Sequence, residues 1–238
     1  MQVAVHQPGY WPWPRYVHKV MSADVFVYLD CVQFSKNGVQ NRNKIKTPSG
    51  PRWLTLPVRH PLGQSILEVR IADMTALEKH WRTLSVHYGG TSGFRLWMHE
   101  LEGLLRRIGN DSLCEVAIAT TEWMLEKLGV TTRRMRASQL PGVGGQGSRL
   151  IASICRALGA RRYLSGVGAI DYMSLADFAA EDCEVWVQQW GGCHYPQAHP
   201  AAGFVADLST LDLLLNCPLD ARGVIEAAGN WTELWSRT

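Results

Sequence analysis

The sequence predicts an α/β fold with a mainly parallel sheet, and three features carry that expectation. Val3-Ala4-Val5 and Val25-Phe26-Val27-Tyr28-Leu29 read as buried strands, joined by a loop and one or two helical turns over 16–21. Strand, helix and parallel strand in that order make a right-handed βαβ unit. Strand and helix patterns alternate again from about residue 131 onward, and three successive helical patterns lie over 77–128. The expected architecture is a Rossmann-like sheet with flanking helices and a helical insertion over about 76–128. With 238 residues the chain stays within what one core can organise, so 1–238 is read as one α/β unit.

In order along the chain, the first strand ends at His6-Gln7, where Pro8-Gly9 opens a loop. Asp24 and Asp30 bound the second strand. Residues 35–50 hold Asn37, Gln40, Asn41, Arg42, Asn43, Lys44 and Lys46, too many hydrogen-bonding groups for a core element, so a loop is expected. Stretches 53–58 and 67–71 alternate as half-buried strands, with a turn at 61–64, and suggest a hairpin. Helices are expected over 77–88, 94–108 and 113–128, with stops at Gly109-Asn110 and Gly129. A strand over 131–136 leads to the glycine-rich run 141–148 and a helix over 149–158. Strands at 162–166 and 184–189 and helices at 175–180, 211–215 and 224–228 complete the alternation.

Hydrophobic residues make up 46% and charged residues 19% of the chain, enough for a packed core and against disorder. No run approaches the roughly 20 apolar residues of a membrane helix, and the N-terminus has no basic leader, which points to a cytoplasmic protein without membrane partners. The cysteines Cys31, Cys114, Cys155, Cys183, Cys193 and Cys217 include no CxxC pair, and Cys193-His194 near His199 lacks further ligands, so no metal site is read. No cofactor fingerprint is legible either, since the glycine run lacks both the P-loop ending and the dinucleotide spacing. The mild net charge of +3 suits a small anionic molecule as well as nucleic acid, and of the two the small molecule is the expected partner, nucleic acid the unlikely one.

Parallel α/β sheets bind ligands at the C-terminal ends of their strands, and those ends carry His6-Gln7 and Asp30-Cys31. His6 is the candidate general base, Asp30 the carboxylate that orients it, and Cys31 a thiol able to accept an acyl group. In the following loop, Tyr10, Trp11 and Trp13 are stiffened by prolines and offer flat surfaces for a ligand. Asn41, Arg42 and Lys46 combine amide, guanidinium and ammonium donors suited to phosphate. His80 reads as a partly buried histidine beside Trp81 and Leu84.

These segments together resemble the WbqC-like family: His6-Gln7-Pro8-Gly9-Tyr10-Trp11-Pro12-Trp13, Asp24 through Asp30, Val32-Gln33-Phe34-Ser35-Lys36, Gln40 through Lys46, Lys79-His80-Trp81, Tyr163-Leu164-Ser165-Gly166 and Tyr195-Pro196-Gln197 occur in the family's order across nearly the whole chain. The resemblance implies a place in surface-polysaccharide or natural-product biosynthesis and transferase chemistry on an amino group. By matched position it singles out His6, Gln7, Tyr10, Trp13, Asp30, Gln33, Asn41, Arg42, Lys46, His80, Ser165 and Tyr172. The chain departs from the family at Cys31, where an acidic or polar residue is frequent, and at Gly9 and Trp11, where asparagine and leucine are.

The expected function is transfer of an acyl or aminoacyl group from a thioester donor to an amine, with His6, Asp30, Cys31 and His80 catalytic and Gln7, Tyr10, Trp13, Gln33, Asn41, Arg42, Lys46, Ser165 and Tyr172 binding substrate. The partners implied are a small-molecule substrate such as a nucleotide sugar, and an acyl-carrier protein or coenzyme A thioester. The competing expectations are a non-catalytic module that binds a nucleotide sugar or carrier protein, and a thioester hydrolase.

Overall fold

The computed structural model describes residues 1–36, 38–59 and 63–235. Strand β1 (Gln2–His6) buries Val3, Ala4 and Val5, and β2 (Val25–Tyr28) is buried throughout. Between them α1 (Pro14–Ser22) starts on a proline, whose missing N–H costs nothing in a first helical turn. β1 and β2 pair in parallel from Val3↔Val25 to His6↔Tyr28, so the expected βαβ unit is present.

The segment between β2 and the helical insertion differs in detail from expectation. Arg42–Thr47, read as loop, forms β3 and pairs antiparallel with β4 (Gly50–Thr55). Its polar side chains are absorbed by specific partners: Asn41 Nδ2 donates to the Leu56 carbonyl (2.8 Å) and Asn43 Nδ2 to the Trp11 carbonyl (2.7 Å). A two-residue pairing joins β5 (Val58–Arg59) to β6 (Arg70–Ile71), much shorter than the expected hairpin, whose turn lies partly outside the described residues. Helices α2 (Thr75–Tyr88), α3 (Ser92–Arg107) and α4 (Leu113–Lys127) follow as expected, the latter two capped by Thr91 and Ser112.

The chain then re-enters the main sheet with β7 (Arg133–Arg136), α5 (Ser148–Leu158), β8 (Arg162–Ser165), a 3-10 helix (Val167–Tyr172), α6 (Leu175–Ala179), β9 (Glu184–Trp190), α7 (Thr210–Asn216), α8 (Ala221–Ala228) and β10 (Gly229–Trp235). Strand β10 escaped the sequence reading because a glycine joins it to the preceding helix without a turn and its residues are only half buried. That glycine is required: a Cβ on Gly229 would lie 2.7 Å from the His18 ring.

The six strands run in the order β10-β9-β8-β1-β2-β7, parallel except for β10. This is a doubly wound sheet whose order reverses between β1 and β8. Both faces are covered, Ala4, Phe26 and Tyr28 packing on one side and Val3, Val5, Val25 and Val27 on the other. Double coverage explains why β1 and β2 read as continuous apolar runs, each buried valine contributing about 1.5–3 kcal/mol.

A closed polar cluster locks α7 to the insertion. Asp212, fully buried, accepts from Tyr195 Oη (2.8 Å), Asn216 Nδ2 (3.1 Å), the Lys46 backbone N–H (3.3 Å) and Tyr88 Oη.

Candidate functional site

At the point where the strand order reverses, the C-terminal ends of β1 and β8 border a cavity of about 440 Å³. Such a crevice is where doubly wound sheets hold ligands, because the loops on either side diverge there. β1 supplies Val5, His6 and Gln7, α1 supplies Lys19, and β8 with the 3-10 helix supplies Ser165, Gly166 and Tyr172. The glycine-rich run contributes Gly147 and Ser148 at the start of α5, and Leu150, Ile151 and Phe178 give an apolar wall. Gly147 has φ 54° and ψ −130°, a conformation that favours glycine, and this lets the chain turn into the helix at the cavity rim.

His6 is set by its neighbour. Its Nδ1 lies 3.0 Å from the Gln7 carbonyl oxygen, which only accepts, so Nδ1 carries the proton and Nε2 keeps its lone pair. The ring edge rests on Tyr16 at 4.7 Å. Burial, and then the charge of Lys19, push its pKa down to about 3, so the imidazole is neutral at pH 7. Gln7 gives its carbonyl to Gln40 Nε2 (2.7 Å) and makes no amide-donor bond among the described residues.

The residue that sequence reasoning missed is Lys19. It is 5% exposed, and its Nζ makes one long hydrogen bond, 3.4 Å, to the Val5 carbonyl. Burial, and then Arg15, lower its pKa to about 7. A signal was available: Lys19 follows Tyr16 by one helical turn, on the face that also buries Val20, so the pattern puts a lysine against the core.

Several expected site residues lie elsewhere. Asp30 does not orient His6; its Oδ1 accepts from the Ser138 N–H (3.0 Å) and its Oδ2 from Ser138 Oγ (2.7 Å), so it stitches the end of β2 to the turn after β7. Cys31 is exposed and outside the cavity lining, and partial burial plus the Asp30 charge raise its pKa, which disfavours the thiolate a relay needs. His80 is buried on α2, its Nδ1 2.8 Å from Tyr10 Oη, and burial lowers its pKa to about 4. Tyr10 and Trp11 are fully buried, so these two rings are core rather than pocket wall.

The phosphate-binding expectation fares similarly. Asn41 serves the backbone of residue 56, Lys46 is 1% exposed beside Asp212, and the Arg42 guanidinium stacks 4.6 Å from the Trp53 ring centre. Gln33 is exposed and bridges to Ser65. Trp13 caps α1 and lines a second cavity of about 280 Å³ with Arg15, Trp190, Tyr195 and Phe204; the Arg15 guanidinium lies 4.9 Å from its ring centre. Of the expected residues, the structure brings His6, Gln7, Ser165 and Tyr172 to one cavity.

No group of three or more His, Cys, Asp or Glu side chains is placed to hold a metal among the described residues. No helix is long and apolar enough to cross a membrane among them. In comparisons with known proteins, the WbqC-like protein family matches residues 7–223. A protein of Mycobacterium tuberculosis (strain ATCC 25618 / H37Rv) named Uncharacterized protein Rv1507c is 29% identical over 223 residues, covering 92% of this chain and 95% of that one. No solved structure matches.

Proposed function

The chain belongs to the WbqC-like protein family, and we propose that it transfers an acyl or aminoacyl group from a thioester donor to an amine held in the cavity between β1 and β8, in polysaccharide or natural-product biosynthesis. The observation that carries this reading is the pairing of two nitrogen bases in one cavity whose lining includes no aspartate or glutamate among the described residues. A carboxylate there would trap an ammonium group as an ion pair; its absence from the lining favours the neutral, nucleophilic amine. His6 accepts a hydrogen bond from that amine through Nε2 and so aims the nitrogen lone pair. The opening of α5 at the cavity rim is assigned to the carbonyl oxygen, where negative charge develops as the amine adds and free backbone N–H groups stabilise it. The second cavity, walled by Trp13, Tyr195 and Phe204 beside Arg15, takes the ring and phosphate of the larger substrate.

A panel of coenzyme A thioesters mixed with nucleotide amino sugars tests this by thiol release and product mass. Amine-dependent thiol release with a product heavier by one acyl group is expected. Thiol release independent of amine would make the chain a hydrolase. Calorimetric binding of nucleotide sugars with no product would make it a binding module, a reading favoured by the 75% exposure of Tyr172 at the cavity mouth.

A further inference from the structure

Resting on the amine-acceptor reading above, we infer that Lys19 is the proton acceptor of the site: its Nζ takes the proton of the incoming ammonium group and returns one to the departing thiolate.

The surroundings of Lys19 suit that task. An ammonium has three donors, and the single hydrogen bond here is long, 3.4 Å to the Val5 carbonyl at the end of β1. Lys127, partly buried at the end of α4, is ion-paired with Glu100 and Glu126, whereas Lys19 has no carboxylate partner among the described residues. His6 on β1 and Arg15 on its own helix interact electrostatically with Lys19, and the cavity lining it shares holds no aspartate or glutamate among the described residues. Burial, and then the charge of Arg15, disfavour the protonated form and lower the Lys19 pKa to about 7. The amine form is within reach of a ligand, because Nζ is 3.8 Å from where a Cβ on Gly166 would stand, on the cavity wall.

The chemistry needs such a base. An amine acceptor arrives from water as ammonium and has no lone pair until a proton leaves. His6, its pKa pushed down to about 3 by burial and then by the charge of Lys19, is a poor acceptor of that proton at pH 7. A base near 7 can both accept it and release it. The freed nitrogen pair adds to the thioester carbonyl carbon and the π pair moves to oxygen. As the intermediate collapses, the C–S pair leaves on sulfur and the amide nitrogen loses its second proton to water. The thiolate then takes the proton stored on Lys19. One amide, one thiol and one proton to solvent result, and Lys19 is regenerated.

Competitive labelling with trace acetic anhydride between pH 5 and 10, read by peptide mass, gives the titration midpoint of each lysine in the folded chain. Lys19 is expected to titrate near 7; an ordinary lysine midpoint for Lys19 overturns the inference. In the thioester and amine assay, Lys19→Met is expected to lower kcat at least about 100-fold with little change in the thioester KM, and to abolish the rise of rate with pH through 7. Circular dichroism and thermal melting establish that the variant is folded. Undiminished turnover in folded Lys19→Met, or an acyl group recovered on Lys19 during turnover, overturns the role while leaving the transferase reading intact. A midpoint near 7 with no product from any thioester and amine pair removes the transferase reading, and this role with it.

Discussion

The cluster around Asp212 and the cavity between β1 and β8 are both buried and both built from ionisable groups, yet their hydrogen bonding is opposite. Around Asp212 the network closes on itself: both carboxylate oxygens are held by Tyr88, Tyr195, Asn216 and the Lys46 backbone. In the cavity it stays open, with a lone pair on His6 Nε2, an unspent amide on Gln7 and one long bond on Lys19. A closed network spends every donor and acceptor on folding, whereas an open one leaves them for a ligand. Burial alone therefore does not separate structural from working groups in this chain. What separates them is which donors and acceptors remain unused.

Removing one member of each cluster should give the sharpest contrast. Asp212→Ala leaves Tyr88, Tyr195 and the Lys46 charge without their partner, and urea unfolding should show a loss of about 3–5 kcal/mol. Lys19→Met replaces an uncompensated amine with an apolar chain of similar volume, so the same measurement should change by less than about 1 kcal/mol or show a gain. Equal losses in the two variants would erase the distinction.

Tyr10→Phe probes a second closed pair. It strands His80 Nδ1 in the core and should cost about 1–3 kcal/mol in urea while leaving ligand binding by calorimetry unchanged.

The pH dependence of stability follows from the depressed pKa values. His80 and His6 stay neutral in the folded chain down to about 4 and about 3, while the unfolded chain takes up these protons below 6.5. Their contribution is complete above 6.5 and is lost as pH falls toward those values, by at most about 1.4 kcal/mol per pH unit for each group. Lys19 acts the same way higher up, its share growing from about 7 to 10.5. The urea midpoint should be lower at pH 5 than at pH 7.5. The smallest expected effect is that of Cys31→Ala: an exposed thiol outside the cavity should change thiol release less than twofold.

Much of the fold was legible because it rests on local pattern. The apolar runs of β1 and β2 and the amphipathic helices α2 to α4 announce themselves at the spacing of their elements. Strand β3 was not legible, because its polar residues are buried by partners distant in sequence, such as Trp11 for Asn43 and Tyr88 for the Lys46 backbone. The same physics divided the site. His6 and Gln7 were found because strand ends in parallel sheets face ligands, and Ser165 and Tyr172 came through the family resemblance. Asp30 was misplaced because a strand-end carboxylate can equally hold a neighbouring turn, and only coordinates show that Ser138 occupies it. Lys19 was overlooked because an isolated helical lysine is usually solvated, although its phase on α1 put it with the buried residues.

The proposed chemistry requires that ligand be handled in the cavity between β1 and β8. Ala169 lines that cavity from the 3-10 helix, away from the strands that build the sheet, so Ala169→Trp fills it without touching the core. Amine-dependent thiol release from the thioester panel should fall to background in the folded variant. A rate equal to that of the unaltered chain would place the chemistry elsewhere in the molecule and contradict the account.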